Sequence, residues 1–411
     1  MSIEVKRCRS CGSAEIAPVL DLGVQSLSGT FRSSNLDHIV SGPLALVSCK
    51  CCSLVQLKHS YPLGEMYNEG YGYRSGITAY MTSHLAGVVH YALSKVALRS
   101  QDCVLDIGSN DGTLLSQYNG YQCSMLGADP VATKYLELYP TGARVITDFF
   151  TAQSYFSMET RRAKVVTSIS MFYDLEDPVK FARDVSAVLD NEGVWVFEQS
   201  YLPAMLRQNS YDTICHEHLE YYSLFAIDRI LKAAGLEILD VTQNEVNGGS
   251  IRVAAVHAES TIAKNVSPVV DWLMQQEVRH NIDATSGFLE FERNINRQRE
   301  DLVSLLSSLK AAGKRVVGYG ASTKGNVILQ YCGISTDLLE CIGDITPFKD
   351  GTFTPGSHIP IVSMDAAKAL KPDYFLVLPW AFRNDIISRE KSLIDRGAKF
   401  IFPLPFVEVV N

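Results

Sequence analysis

The chain has 411 residues, of which 46% are apolar and 20% are charged, and this content is sufficient for two or three globular domains. Its net charge of -8 and the absence of clustered Lys or Arg argue against nucleic acid as a partner. The longest apolar runs are far shorter than the roughly 20 residues that span a bilayer, and residues 1–7 have no apolar signal-peptide core. We therefore expect a cytoplasmic protein, without a membrane partner, that is a monomer or a simple homodimer.

The first 70 residues are rich in turn-forming residues and contain two C-x2-C pairs, formed by Cys8, Cys11, Cys49 and Cys52. Each pair can place two thiolates on one ion, so together they predict a tetrahedral Zn2+ site in a small N-terminal domain, residues 1–70. Four thiolates leave no open coordination position, and the expected zinc is therefore structural. Cys51 is expected to be a bystander. The alternative is that the four cysteines are buried free thiols.

Two series of alternating strands and helices are predicted after this region. The first follows a helical pattern over 76–98 and has strands at 103–107, 124–128, 164–168 and 193–198. The second follows a long helical stretch over 266–312 and has strands at 315–319, 339–342, 374–378 and 399–402. The predicted fold class is α/β, with a doubly wound sheet in a domain of residues 71–260 and a second open sheet in a domain of residues 261–411.

A glycine turn, Asp106 to Gly112, follows the first predicted strand of the first series. Glycines allow the backbone to approach a ligand at the carboxyl end of a strand, and Asp129, at the end of the next strand, can accept hydrogen bonds from two ribose hydroxyls. The spacing is D-x-G-x-x-x-G, which suits a nucleoside without a pyrophosphate and resembles class I S-adenosylmethionine-dependent methyltransferases. The alternative is a tight strand-to-helix connection. The candidate cofactor residues are Asp106, Gly108, Asn110, Gly112, Asp129, Pro130, Asp148 and Phe149.

Residues 211–222 concentrate two imidazoles with carboxylates and phenols. Imidazole can abstract a proton near neutral pH, and a neighbouring carboxylate can orient the ring or stabilise its charge. His216 or His218 is therefore a candidate general base. Metal binding by both is disfavoured because no third ligand has an evident spacing, whereas a purely structural role in capping a loop stays open.

The full set of motifs comprises the double C-x2-C, the Asp106 turn, Cys215-His216-Glu217-His218, Asn247 to Arg252 and Gly318 to Asn326. In this combination the chain resembles the nucleotide-sugar C-methyltransferase family over nearly its whole length. The resemblance implies a zinc-binding domain, a methyltransferase domain that uses S-adenosylmethionine, and a C-terminal Rossmann-like domain. It also implies methylation of a carbon next to the ketone of a 4-keto deoxysugar on a nucleoside diphosphate.

Such a reaction requires a base that removes the proton alpha to the ketone and a group that stabilises the enolate. The resemblance implies that His218 is the base and that Glu217 binds a sugar hydroxyl or orients the imidazole. His216, Tyr222 and Tyr73 are expected to donate toward the enolate oxygen or to line the methyl-transfer pocket. The segment 71–75 is expected to close over the methionine end of the cofactor, with Tyr73 and Ser75 in contact with it.

In the C-terminal series the Gly318-x-Gly320 turn lacks an acidic residue at the end of the predicted 339–342 strand, since Asp344 lies beyond it. A lysine near a helix N-terminus suits a diphosphate, and the alternative is that the glycines serve packing alone. The candidate residues for the nucleotide-sugar are Asn247, Lys324, Asn326, Trp380 and Arg383.

Two departures from the family pattern leave the sugar, its stereochemistry and the enolate partner open. Antibiotic-sugar members often have Tyr where this chain has Cys215, and a His in the loop occupied here by Phe172-Tyr173-Asp174. The first alternative function is O- or N-methylation of a small metabolite. The second is a zinc-knuckle RNA-modifying protein, which the acidic composition opposes.

Overall fold

The computed structural model describes residues 2–34, 39–62, 74–280 and 285–411. Tyr73, expected at the cofactor, lies outside the described residues. The strands are β1 (Ile3–Glu4), β2 (Ile16–Ser26), β3 (Ser41–Cys49), β4 (Val55–Leu57), β5 (His59–Ser60), β6 (Cys103–Ile107), β7 (Ser124–Ala128), β8 (Arg144–Ile146), β9 (Ala163–Ile169), β10 (Leu189–Ser200), β11 (Glu220–Tyr221), β12 (Leu236–Asn244), β13 (Ser250–His257), β14 (Val316–Tyr319), β15 (Ile342–Asp344), β16 (Ile361–Ser363), β17 (Tyr374–Val377), β18 (Lys399–Phe402) and β19 (Glu408–Val410).

The helices are α1 (Ala79–Lys95), α2 (Thr113–Ser116), α3 (Ala152–Met158), α4 (Pro178–Val188), α5 (Leu202–Arg207), α6 (Leu224–Ala233), α7 (Pro268–Arg279), α8 (Thr285–Ala311), α9 (Thr323–Cys332), α10 (Met364–Ala369), α11 (Arg383–Arg389) and α12 (Lys391–Ile394). Short 3-10 turns at Phe172–Asp174, Tyr211–Thr213 and Val246–Gly248 carry several candidate site residues. In the part of the chain that the structure describes, none of the helices has the length and apolarity needed to traverse a bilayer.

The N-terminal region contains a four-stranded antiparallel sheet in the order β11-β4-β3-β2. Its edge strand β11 belongs to residues 211–222, the His-Glu-His segment. In this pairing Glu220 is opposite Gln56 and Tyr221 is opposite Val55. The two C-x2-C pairs, Cys8–Cys11 and Cys49–Cys52, are the zinc knuckles of the protein. The sheet next to them therefore includes a strand from the middle of the chain. This pairing fixes the His-Glu-His segment to the N-terminal domain.

The middle region is a seven-stranded sheet in the order β12-β13-β10-β9-β6-β7-β8, with β13 antiparallel to both of its neighbours. The predicted strands 103–107 and 124–128 are reproduced residue for residue as β6 and β7. Alternate residues of β6 face opposite sides, so Val104 packs with α1 on one side and Leu105 with α4 and α6 on the other. Both faces are thus covered, which confirms the doubly wound prediction.

The C-terminal region is a six-stranded sheet in the order β16-β15-β14-β17-β18-β19, parallel except for β19. The predicted strand 339–342 was misplaced, because β15 spans Ile342–Asp344. Leu339 and Cys341 are buried, so the apolar run marks packing that begins before the hydrogen-bonded ladder. Asp344 consequently ends a strand, contrary to the prediction. The long helical stretch predicted over 266–312 is divided between α7 and α8.

Candidate functional site

The four predicted zinc ligands converge at the edge of the N-terminal sheet. Their sulfur atoms all lie within 4.8 Å of one another, with 3.4 Å between the Sγ atoms of Cys8 and Cys52 and 3.5 Å between those of Cys11 and Cys49. Four thiolates at such spacing are a suitable donor set for tetrahedral Zn2+, and they leave no coordination position for a substrate. Cys51 is outside the cluster, and its backbone N–H donates to Cys49 Sγ at 3.4 Å.

Arg9, between the first two cysteines, connects the zinc knuckle to the rest of the site. Its Nη1 donates to the main-chain oxygen of Leu57 at 2.7 Å, and its Nε donates to Glu176 Oε2 at 3.1 Å. The same Nε lies 3.8 Å from Oε1 of Glu220, a buried carboxylate whose two oxygens have no hydrogen-bond donor among the described residues. Burial raises the pKa of Glu220, while the Arg9 charge opposes that rise.

A cavity of about 270 Å3 lies at the carboxyl ends of β6, β7 and β9. This is the edge at which open α/β sheets bind ligands. Most of the predicted cofactor residues line it, together with several residues that sequence reasoning missed. The predicted cofactor residues that line the cavity are Ser75, Asp106, Gly108, Asn110, Asp129, Pro130 and Phe149. The missed lining residues include His84, Ser170, Met171, Asp174, Glu176 and Glu198.

The glycine turn has the shape that a nucleoside cofactor requires. Gly108 has φ +74°, and a Cβ there would meet Met171 Cγ at 3.0 Å, so a side chain would enter the cavity wall. Asp129 accepts hydrogen bonds from the backbone N–H of Asn110 at 2.8 Å and of Val131 at 2.7 Å, which fixes its carboxylate at the cavity edge. Phe149 is half exposed at this edge, where an aromatic face can cover a flat base. The residues present therefore fit S-adenosylmethionine.

Asp106 and Asp111 hold the turn in place. Asp106 is fully enclosed and accepts a hydrogen bond from Thr167 Oγ1 at 2.6 Å, and burial raises its pKa to about 7. Asp111 accepts from Arg74 Nε and from the backbone N–H of Gly76, both at 3.0 Å. Segment 74–76 is thereby attached to the turn. Two predicted cofactor residues, Gly112 and Asp148, are not among the residues that line the cavity.

Glu198, near the end of β10, is a buried carboxylate of the cavity lining with three side-chain partners. It accepts hydrogen bonds from His84 at 2.5 Å, Arg252 at 2.8 Å and Asn244 at 2.9 Å. A carboxylate that ends an apolar strand is a signal that the sequence contained, since Glu198 closes the predicted strand 193–198. The partner His84 had no such signal because it comes from helix α1, far away in the sequence.

His218 is fixed by a hydrogen bond from its Nδ1 to the main-chain oxygen of Thr213 at 2.7 Å. A carbonyl oxygen only accepts, so Nδ1 carries the proton and Nε2 has a free lone pair. The ring packs against Tyr173 with a centroid distance of 4.1 Å. Burial first, and the Lys324 charge second, lower the pKa of His218 to about 3, so the imidazole is neutral at physiological pH.

The other predicted catalytic residues have different surroundings. Glu217 lies 3.5 Å from Ser28 Oγ in the N-terminal domain, and burial raises its pKa. His216 is buried against the same domain, with Nε2 3.3 Å from the main-chain oxygen of Gly42 and its ring edge-on to Tyr61. Tyr222 is fully buried, stacks on Phe172, and donates to that residue's main-chain oxygen at 3.4 Å. His216 and Tyr222 therefore lie in packed interfaces and not on the cavity.

The predicted sugar-nucleotide residues form two groups. Lys324 is near His218, and its Nζ donates to the main-chain oxygen of Asn247 at 2.8 Å. The remaining three are engaged in protein contacts: Asn326 donates to the main-chain oxygen of Ser28 at 2.7 Å, Trp380 Nε1 donates to Asp212 at 2.8 Å, and Arg383 pairs with Glu408 through two hydrogen bonds of 2.7 Å. Asn326 Oδ1 is buried and has no donor among the described residues.

The C-terminal sheet repeats the turn geometry of the middle sheet. Asp344 ends β15 and accepts hydrogen bonds from the backbone N–H of Ala321 at 2.6 Å and of Thr346 at 2.8 Å. Asp129 makes the same two kinds of contact in the middle sheet, one to the glycine turn and one to the residue two positions ahead. Lys349 contacts this turn, with Nζ 2.8 Å from the main-chain oxygen of Ala321 and 3.9 Å from Asp344 Oδ2.

Comparisons with known proteins agree with this architecture. Residues 8–67 match a zinc binding domain family, 77–241 a methyltransferase domain family and 245–405 a C-methyltransferase C-terminal domain family. C-methyltransferase NovU from Streptomyces niveus is 31% identical over 99% of this chain and 97% of its own. Among solved structures, N-methyltransferase NodS from Bradyrhizobium japonicum is 13% identical over 47% of this chain and 94% of its own, with a TM-score of 0.35. The CcbJ methyltransferase from Streptomyces caelestis is 13% identical over 46% of this chain and all of its own, with a TM-score of 0.34.

The protein is an S-adenosylmethionine-dependent methyltransferase with a zinc-binding N-terminal domain. The chain belongs to the C-methyltransferase family that includes NovU. Its reaction is therefore the S-adenosylmethionine-dependent methylation of a carbon atom, which disfavours O- and N-methylation.

Proposed function

We propose that the protein methylates the carbon next to the ketone of a 4-keto deoxysugar linked to a nucleoside diphosphate, with His218 as the general base. The observation that carries the proposal is a neutral imidazole packed behind segment 171–174, of which Met171 and Asp174 line the cavity while His218 itself does not. His218 packs on Tyr173, and the neighbouring residues Met171 and Asp174 line the cavity. With Nδ1 held by Thr213, Nε2 is the atom that can accept the proton.

S-adenosylmethionine supplies an electrophilic methyl group on its sulfonium sulfur. We propose that Gly108, Asn110, Asp129 and Phe149 bind its nucleoside and that Ser75 and Asp106 face its methionine end. Glu217 would hold a sugar hydroxyl or orient the site through the Ser28 loop. The domain limits 1–70, 71–260 and 261–411 remain our proposal: the matches over 8–67 and 77–241 support the first boundary, whereas the C-terminal match already begins at residue 245.

The geometry of the C-terminal sheet supports the proposal that the sugar is linked to a nucleoside diphosphate. Its glycine turn and the strand-terminal Asp344 repeat the arrangement that the middle sheet uses at its own ligand edge. We propose that Lys324 and Asn247, at the junction of the two sheets, contact the sugar-nucleotide. A cytoplasmic location fits such a metabolite and fits ten cysteines that form no disulfide with one another among the described residues.

The test is incubation with S-adenosylmethionine and a panel of 4-keto-6-deoxyhexoses linked to thymidine, uridine, cytidine or guanosine diphosphate. We expect a product that is one methyl group heavier, with a new carbon-bound methyl signal by NMR. His218→Asn should lose at least about 100-fold in turnover and keep S-adenosylmethionine affinity. His257→Asn is the matched control, since His257 also contacts a main-chain oxygen, that of Leu189, away from the cavity. Methylation at oxygen, or near-normal turnover of His218→Asn, would refute the proposal.

A further inference from the structure

Thr213 holds two chemically different groups side by side. Its main-chain oxygen accepts the hydrogen bond from His218 Nδ1 at 2.7 Å, and its hydroxyl oxygen is 3.5 Å from Lys324 Nζ. Thr213 ends a short 3-10 turn in the His-Glu-His segment, whereas Lys324 comes from the first turn of α9 in the C-terminal domain. The folded chain therefore places a cation next to the proposed base although the two are far apart in the sequence.

The lysine has a hydrogen available for a ligand. An ammonium group has three N–H donors, and the contacts of Lys324 Nζ within the described residues are Asn247 O at 2.8 Å and Thr213 Oγ1 at 3.5 Å. The nearby carboxylate of Asp212 accepts a hydrogen bond from Trp380 Nε1 through Oδ2 at 2.8 Å. Burial lowers the pKa of Lys324, and the charge of Asp212 opposes that shift.

We propose that Lys324 is a catalytic residue whose ammonium donates a hydrogen bond to the keto oxygen of the sugar and stabilises the enolate. This inference rests on the proposed function and identifies the enolate partner that the sequence left open. In the step, His218 Nε2 takes the proton from the carbon next to the ketone. The electron pair of the broken C–H bond forms the C=C bond, and the π pair of the carbonyl moves onto oxygen. No other reactant is consumed.

The position next to His218 favours the ketone over the diphosphate as the partner of Lys324. The keto oxygen is only two bonds from the carbon that loses its proton, so its hydrogen-bond donor must lie near the base. The diphosphate is attached at the opposite end of the hexose. A cation beside a base also hinders protonation of that base, but an oxyanion formed between them removes the hindrance. The two charges created in the step thus each gain a neighbour of opposite sign.

The experiment measures proton abstraction separately from methyl transfer. The zinc-loaded enzyme, with S-adenosylhomocysteine in place of the methyl donor, is incubated in deuterium oxide with the keto-sugar nucleotide that the wild type accepts. Exchange at the alpha carbon is followed by NMR for wild type, Lys324→Met, Lys324→Arg and Lys368→Met. Lys368 is the matched control because it is a lysine of the same domain that pairs with Glu390, away from the site. Dissociation constants for the free nucleoside diphosphate are measured in parallel.

We expect exchange to fall by about 100-fold in Lys324→Met, to recover partly in Lys324→Arg, and to be unchanged in Lys368→Met. The affinity for the free nucleoside diphosphate should change less than about 3-fold.

Exchange at the wild-type rate in Lys324→Met would overturn the inference and leave the proposed function intact. A large loss of diphosphate affinity with normal exchange at saturation would assign the lysine to the diphosphate instead. If the wild type neither exchanges nor methylates any keto-sugar, the proposed function fails and the inference fails with it. If Lys324→Met loses zinc or unfolds, the test is made with Lys324→Arg, whose side chain is longer and planar. Wild-type rates of exchange together with wild-type nucleotide affinity in Lys324→Arg would overturn the inference.

Discussion

Arg9 of the first zinc knuckle lies 3.8 Å from the buried carboxylate of Glu220, two residues beyond the proposed base. The zinc site is therefore connected to the His-Glu-His segment by a charged contact as well as by the β4–β11 pairing. Zinc has a structural role in this arrangement, because the knuckle it closes determines where Arg9 points. The consequence can be measured with variants at Arg9 and at the cysteine cluster.

Arg9→Met should destabilise the protein by about 3 kcal/mol, since it removes the cation that faces a buried carboxylate along with the hydrogen bonds to Leu57 and Ser60. Turnover should fall as well, because Glu220 is attached to the same short segment as His218. Urea unfolding and steady-state kinetics provide the measurements. Arg7→Met is the control: Arg7 has an exposed bond to Gly12 O, and its loss should cost less than about 0.5 kcal/mol. Equal effects of the two substitutions would contradict the role given to Arg9.

The cysteine cluster makes a prediction about metal content. Cys52→Ser removes one of four converging thiolates and should greatly reduce bound zinc, whereas Cys51→Ser should retain about one zinc ion per chain. Elemental analysis of the purified variants gives the answer, and thermal unfolding should show a lower midpoint for Cys52→Ser alone. Full zinc content in Cys52→Ser would show that Cys51 can serve as a ligand.

Substitutions of Gly108 and Gly87 distinguish a loss of cofactor affinity from the general effect of replacing a glycine on stability. Gly108→Ala introduces a methyl group 3.0 Å from Met171 at a residue with φ +74°, so S-adenosylmethionine affinity should drop by at least about 10-fold. Gly87→Ala is in an open part of α1 and should raise stability by about 0.5 to 1 kcal/mol without changing that affinity. Isothermal titration and thermal unfolding measure the two effects. Unchanged affinity in Gly108→Ala would exclude close approach of the cofactor to this turn.

Asp106 should give the ligand-free protein a characteristic pH dependence. Burial raises its pKa to about 7 in the folded state from an ordinary value of 3.8, so the folded state holds a proton that the unfolded chain has released. This contribution to stability is present below the unfolded pKa and is lost as the pH rises through about 7. Asp106→Asn should therefore gain stability relative to wild type between pH 4 and 8, by on the order of 4 kcal/mol at the upper end. A stability difference that is constant across this range would contradict the raised pKa.

The sequence was sufficient for the parts of the fold that are set by local pattern. The strand 103–107 and the turn after it follow from an apolar run and its glycines, and the zinc ligands follow from their spacing. His84 and Arg9 were missed because their function depends on partners, Glu198 and Glu220, that approach only in the folded chain. Periodicity contains no information about such contacts.

The same reason explains the outcome for the aromatic and C-terminal candidates. Tyr222 was expected at the pocket because of its position in a polar segment, yet its ring is part of the core beside Phe172. Trp380 and Asn326 are predicted at the ligand, and in the structure they also contact Asp212 and Ser28, which sequence periodicity does not reveal. Lys324 was expected at a diphosphate, and only the folded structure reveals that it shares Thr213 with His218, the proposed base.

The edge strand β11 has a consequence for the order in which the chain matures on the ribosome. The sheet that surrounds the zinc knuckles stays one strand short until residues 220–221 have left the exit tunnel, long after Cys52 has emerged. During that interval the edge of β4 is open to pairing with other nascent chains. Synthesis of the middle region thus completes the N-terminal domain, and a gene fragment that stops before residue 220 should yield an aggregation-prone product.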